Sequence, residues 1–372
     1  MGHDNDILSA GTVTRVVKAT GDAVADAAIM EEAGEILRRG GLVAIPTETV
    51  YGLAGNALDP ASSKRIYAAK GRPSDNPLIV HIARMEDLDR IVRSVPEGVY
   101  KLAERYWPGP LTMILEKSDA VPYETTGGLD TVAVRFPSDP IAREVIRAAG
   151  GYIAAPSANR SGRPSCTTAS HCLEDLDGRI DMIIDGGEVC IGLESTIVDM
   201  TGEIPCLLRP GYISLEDLRD TLGRVDVDPA IEAGREADAD IPPTAPGMKY
   251  RHYAPKGELT LVRGKADDVV AGINSFVEQM SEKGKRTAVI ASTDNAARYR
   301  CDTVMDIGTC DDEDEIAHRL FAILRRLDDM DIEYIYSECF DTPRLGQAIM
   351  NRLEKAAGHR VVTINEQNEH IQ

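Results

Sequence analysis

The sequence has no cysteines paired at metal-binding spacing, no long apolar run and no basic segment. Its seven cysteines (166, 172, 190, 206, 301, 310 and 339) are scattered without a C-x-x-C pair. Neither a zinc site nor a disulfide framework is indicated, and reduced structural or surface thiols are expected. No stretch reaches the ~18 apolar residues of a membrane span. The start, MGHDNDILSAG, is polar and acidic. It lacks the basic head and apolar centre of a secretion signal, so a cytoplasmic protein with no membrane partner is expected. The formal net charge is −20, divided as −11 over residues 1–222, −1 over 223–257 and −8 over 258–372. Tight binding to a nucleic-acid backbone depends on clustered Lys and Arg, so this balance disfavours it. A local positive pocket for a small anion stays compatible.

Common catalytic fingerprints are missing as well. The chain has no G-x-x-x-x-G-K-[ST], no H-E-x-x-H, no closely spaced Asp/Glu cage and no recognisable Ser–His–Asp context. Its C-terminal third has no G-x-G-x-x-G.

Across 372 residues there is room for two or three domains of ~100–200 residues each. Over residues 1–222, β-rich runs alternate with helical patterns. The expected strands are TRVVKA, LVAIPT, PLIVHI, LTMILEK, TVAVRF, GYIAAP, RIDMIID, STIVDM and CLLRPG. In the first helix Ala27, Met30, Ala33, Ile36 and Leu37 share a face, and Gly40–Gly41 close it. The pattern predicts one α/β domain with a mixed sheet. Residues 223–257 are rich in Pro, Ala and Asp and read as an extended linker. From residue 258, single helices separate strands, which predicts a Rossmann-like parallel sheet.

Four polar clusters interrupt apolar strand ends. IPTETVYGLAGNA sets Thr47, Glu48, Thr49 and Tyr51 after a strand, with Gly52 and Gly55 permitting close backbone approach. KGRPSDNPLIVHI brings Lys70, Arg72 and Asn76 to a strand entrance. In that strand Leu78, Val80 and Ile82 face one way and Ile79, His81 and Ala83 the other. Taken alone, His81 reads as a satisfied core or surface histidine, and the two cations as a solvated turn. AAPSANRSGRPS offers Ser157, Asn159, Ser161 and Ser165, as suited to an ordinary turn as to phosphate oxygens. GLESTIVDM and LLRPG place Ser195, Thr196 and Arg209 at strand ends, and Arg135 is a cation inside the apolar strand VAVRFP. A buried Arg needs a partner, from protein or ligand. Cations, hydroxyls and amides suit anion binding and positioning better than covalent catalysis.

In this order, PTETVYGL, KGRPSDNPLIVHI, WPGPLTMIL, VAVRFP, APSANRSG, ESTIVD and LRPG closely resemble the Sua5/YciO/YrdC family. PGMKYRHYAP and LGQAIMNRLEKAAG resemble its longer, Sua5-type members. The resemblance implies a YrdC-like twisted mixed-sheet catalytic domain (1–222), a linker or lid (223–257) and a C-terminal Sua5 domain (258–372). It also implies threonylcarbamoyl-AMP synthesis: L-threonine, bicarbonate and ATP give an adenylate and pyrophosphate. Downstream tRNA threonylcarbamoyl transferase machinery uses the product for t6A37, so little or no direct tRNA binding is expected. By matching motif, Lys70, Arg72, Asn76, Thr131, Ser157, Asn159, Ser165, Arg209 and, from the lid, Tyr250 should serve ATP. Thr49, His81, Arg135, Ser195 and Thr196 should serve threonine. Mg²⁺ is expected to arrive on ATP and to keep several waters. The chain departs from the family at Ala54, Cys166 and Ala245, and none of these removes a cation. Two competing readings are a nucleic-acid-binding module and a YciO-like paralogue with little synthase activity. The acidity weighs against the first; Lys70, Arg72 and the linker weigh against the second.

Overall fold

A computed structural model describes residues 13–232, 253–365 and 368–371. The chain divides into two compact units: Met1–Ser161 with Ser165–Tyr250, and Gly162–Pro164 with Arg251–Gln372.

The first unit carries an eleven-stranded sheet. Its strands are β1 (Arg15–Lys18), β2 (Val43–Ile45), β3 (Gly52–Asn56), β4 (Ile79–His81), β5 (Leu111–Glu116), β6 (Thr131–Arg135), β7 (Ile153–Ala154), β8 (Met182–Asp185), β9 (Thr196–Asp199), β10 (Cys206–Arg209) and β11 (Asp226–Val227). They lie in the order β1-β8-β2-β3-β7-β4-β6-β5-β9-β10-β11, with parallel and antiparallel pairs. All nine expected strands form. The stretch GLAGN, not among the expected strands, is also a strand: β3 pairs antiparallel to β2 through Val43–Ala54 and Ile45–Gly52. The start of the expected linker is ordered too, since β11 runs parallel to β10.

Alternation along the strands separates two faces. On one, Leu78, Val80 and Ile82 join Val132, Val134, Met113, Leu115, Val198 and Leu207 in the large core. On the other, Ile153 and Ala155 pack with Val43, Ile45, Met182 and Ile184 beneath the helices Ala23–Arg38 and Pro140–Ala148. Met30, Ala33 and Leu37 supply the buried stripe of the first of these helices; Ala27, expected on it, is exposed. Farther along this second face lies a separate apolar patch, Ile79, Ala133, Ile114, Ile197 and Leu208, all drawn from strands. The candidate site is built around that patch.

Local signals set the helix ends. Asp22 caps Ala23–Arg38 by accepting from the Val24 and Ala25 amides. Asp59, with Pro60 in the first turn, starts Pro60–Lys70, and Gly71 ends it at φ 62°, a left-handed stop that favours glycine. Lys70 is therefore the last helical residue.

The second unit carries β12 (Glu258–Arg263), β13 (Thr287–Ala291), β14 (Val304–Asp306), β15 (Tyr334–Glu338), β16 (Val361–Asn365) and β17 (Asn368–Ile371), ordered β14-β13-β15-β12-β16-β17. The first five are mutually parallel, as the strand–helix alternation predicts, and β17 adds an antiparallel edge. Among the described residues, no helix is long and apolar enough to cross a membrane.

Candidate active site

Strand register brings together two of the residues expected on the threonine side, His81 and Arg135. His81 on β4 pairs with Arg135 on β6, and Arg135 pairs with Thr112 on β5. Paired residues share a face, so the three side chains stand in one row beside the Ile79–Ala133–Ile114 patch. The Thr112 and Ser195 hydroxyls lie 2.8 Å apart, and Arg209 Nη2 donates to Ser195 Oγ at 3.1 Å. Arg209 Nε also donates to the Ser195 carbonyl at 3.0 Å. His81, Arg135, Ser195 and Arg209 are each buried.

Burial and the neighbouring Arg135 charge push the His81 imidazole down to about 3, so it is neutral at physiological pH. Its Nδ1 lies 3.1 Å from the Ile79 carbonyl. A carbonyl only accepts, so Nδ1 carries the proton and Nε2 is left as an acceptor.

Arg135 has a protein partner. Its Nη2 is 2.9 Å from Glu48 Oε1, and both side chains are buried. Glu48 belongs to the Thr47–Tyr51 loop, which Ile191 N and Gly192 N fasten by donating to the Glu48 and Thr49 carbonyls. Thr49 is fully buried and shares a 2.9 Å hydroxyl contact with Thr47. Tyr51 is structural: its hydroxyl donates to the Gly187 carbonyl at 2.7 Å, and burial pushes the phenol up.

Several of the residues expected to serve the nucleotide lie in small hydrogen-bonded sets of their own. Lys70 Nζ donates to the carbonyls of Ser157, at 2.5 Å, and Asn159. Burial, with Arg72 nearby, pushes its ammonium down to about 7. Ser157 Oγ donates to Asn159 Oδ1 at 2.5 Å, and Asn159 Nδ2 to the Arg160 carbonyl at 2.8 Å. Arg72 Nη2 donates to Asn76 Oδ1 at 2.6 Å and to the Pro77 carbonyl at 3.1 Å, which binds the turn before β4 to itself. Ser165 donates to Glu194 Oε1 at 2.5 Å.

One residue expected on the threonine side stands apart. Thr196 pairs with Leu111 on the large-core face, and its hydroxyl exchanges hydrogen bonds with Ile213 O at 2.8 Å and Ile213 N at 3.0 Å. Thr131 begins β6 while Arg135 ends it, four residues and about 13 Å away. Tyr250 lies outside the described residues. Thr112 and Glu194 escaped the sequence reading. A threonine in a strand is unexceptional there, and only register pairs Thr112 with Arg135.

Among the described residues no three His, Cys, Asp or Glu side chains cluster as a metal cage. The arrangement can neutralise and orient anions, and it supplies one neutral imidazole acceptor.

Comparison with known proteins bears on what those anions are. A family model described as telomere recombination, for Sua5, YciO and YrdC, matches residues 35–211. A second, described as the threonylcarbamoyl-AMP synthase C-terminal domain, matches residues 213–358. The threonylcarbamoyl-AMP synthase of Pyrococcus abyssi is 48% identical over 332 residues, covering 89% of this chain and 95% of that protein. The chain belongs to the Sua5/YciO/YrdC family. It is of the Sua5 type, since both family domains are present in order. The Bacillus subtilis threonylcarbamoyl-AMP synthase is 44% identical, covering 89% of this chain and 93% of that one. The crystal structure of P. abyssi Sua5 complexed with L-threonine superposes with a TM-score of 0.87. It is 45% identical and covers 95% of this chain and all of that one.

Proposed function

We propose that this protein is an L-threonylcarbamoyladenylate synthase. The observation that carries the reading is the buried row of His81, Arg135, Thr112 and Ser195 in a chain so similar to a Sua5 crystallised with L-threonine. The threonine amine attacks the bicarbonate carbon and water leaves, which gives a carbamate. A carbamate oxygen then attacks the α-phosphorus of ATP, and pyrophosphate leaves. The nucleophile belongs to the substrate, so positioning and charge neutralisation carry the rate.

On this reading Arg135 meets the threonine carboxylate, and His81 Nε2, Thr49 and Ser195 line that side, while Thr196, turned to the large core, only holds the strand. Lys70, Arg72 and Asn76 meet the ATP phosphates. Thr131, Ser157, Asn159, Ser165, Arg209 and the lid residue Tyr250 complete the nucleotide side. Mg²⁺ arrives on the ATP phosphates as part of the substrate, in keeping with a site furnished mainly with cations and hydroxyls. The reaction runs in the cytoplasm, and the adenylate passes to a tRNA threonylcarbamoyl transferase.

The test is pyrophosphate release with fresh Mg-ATP, together with detection of the adenylate by mass spectrometry. Release that needs both L-threonine and bicarbonate supports the reading; no release with all three substrates overturns it.

A further inference from the structure

The Glu48–Arg135 pair is only half used by the protein. Among the described residues, no well-directed donor reaches either Glu48 oxygen and no well-directed acceptor reaches Arg135 Nε or Nη2, although Nη2 and Oε1 are 2.9 Å apart and both side chains are buried. A buried charged group with unspent hydrogen-bonding capacity is costly unless a ligand supplies it. Burial pushes the Asp139 carboxyl up, and the Glu48 charge adds to that push. The adjacent His81 is neutral and adds no charge to the corner.

We infer that Glu48 and Arg135 together form a receptor for the zwitterion of the amino-acid substrate, with Glu48 binding the α-ammonium and Arg135 the carboxylate. The spacing matches. Standard bond lengths put an α-amino acid's nitrogen about 2.7 Å from its nearer carboxylate oxygen. That is close to the 2.9 Å between Glu48 Oε1 and Arg135 Nη2. A zwitterion laid antiparallel beside the pair gives each of the four charges an opposite neighbour. The receptor selects α-amino acids over hydroxy acids of the same shape, and it explains why PTET carries a carboxylate where hydroxyls alone would serve a turn. The inference rests on the synthase reading and names the group that recognises its amine.

The experiment follows pyrophosphate release by the full-length chain, with 3-hydroxybutanoate (threonine without its amine) as a competitor of L-threonine. Glu48→Gln removes the charge and keeps the shape. It should raise KM for threonine about 10- to 100-fold, the worth of a charge-assisted hydrogen bond. KM for ATP and the inhibition constant of 3-hydroxybutanoate should not change. Equal weakening of threonine and 3-hydroxybutanoate would show that Glu48 acts only by holding Arg135, and would overturn the inference. So would a variant indistinguishable from wild type. A second measurement needs no variant to fold. Wild type must itself bind threonine at least about tenfold more tightly than 3-hydroxybutanoate, and equal affinities refute the receptor. A wild-type protein that turns over ATP with neither ligand fails differently: it removes the synthase reading and this inference with it.

Discussion

The hydroxyls of Thr112 and Ser195 lie 2.8 Å apart, and this contact joins Arg209 to the strand row that holds Arg135. Thr112→Val keeps the shape and β propensity of the side chain and removes the hydroxyl. A buried partner left without its bond costs about 1–3 kcal/mol. We expect KM for threonine to rise several-fold, with a modest fall in melting temperature. Steady-state kinetics with threonine varied provides the check, and an unchanged KM would take Thr112 out of the site.

Arg72 is expected to act on the other substrate. Loss of a charge-assisted contact to phosphate should cost about 1.5–3 kcal/mol. Arg72→Ala should raise KM for ATP by one to two orders of magnitude while KM for threonine stays put. Because Arg72 also holds the Asn76 side chain at 2.6 Å, Asn76→Ala should reproduce part of the defect. Normal ATP kinetics in both variants would place this turn outside the nucleotide site.

Lys70 gives a proton signature. In the free protein burial, helped by Arg72, holds its ammonium at about 7. Phosphate oxygens favour the charged form and raise that value. ATP binding at pH 8 should therefore take up close to one proton, and at pH 6, where Lys70 is already charged, almost none. Calorimetry in buffers of differing ionisation enthalpy reads this directly. ATP affinity should weaken as pH rises above 7, and Lys70→Met should abolish the uptake. Its absence in wild type at pH 8 would detach Lys70 from the phosphates.

His81 should shape acid stability rather than the pH dependence of activity. Its folded value is lowered to about 3, below the ordinary 6.5. Between those values the unfolded chain binds a proton that the folded chain does not, so stability falls as pH drops through that window. Urea midpoints at pH 7 and pH 5 should differ less in His81→Gln than in wild type. An equal drop in both would mean that the imidazole is not held neutral.

Much of the architecture was legible because strand and helix periods differ. Val80 and Ile82 against Ile79 and His81 were sorted correctly by alternation alone, and the strand–helix pattern anticipated the second sheet. Strand β3 was missed because two of its five residues, Gly52 and Gly55, carry no strand propensity. Its pairing with β2 is a tertiary fact. Within the site, Arg135 announced itself as a charge in an apolar run. Thr112 could not, because its significance comes from a neighbour on another strand. Glu48 was visible as a polar residue in a turn, but its partner is set by how that turn folds back to Arg135. Thr196 shows the opposite failure: the motif is present, yet its hydroxyl is spent on Ile213.

The two-faced strand β4 also limits how this gene can vary. Val80 belongs to the large core, while Ile79 and His81 belong to the site face. One residue inserted or deleted between Arg72 and Leu78 would exchange those faces unless the turn absorbed it, turning core valine toward substrate and histidine into the core. Point substitutions in this turn should survive in a library far more often than single-codon insertions or deletions.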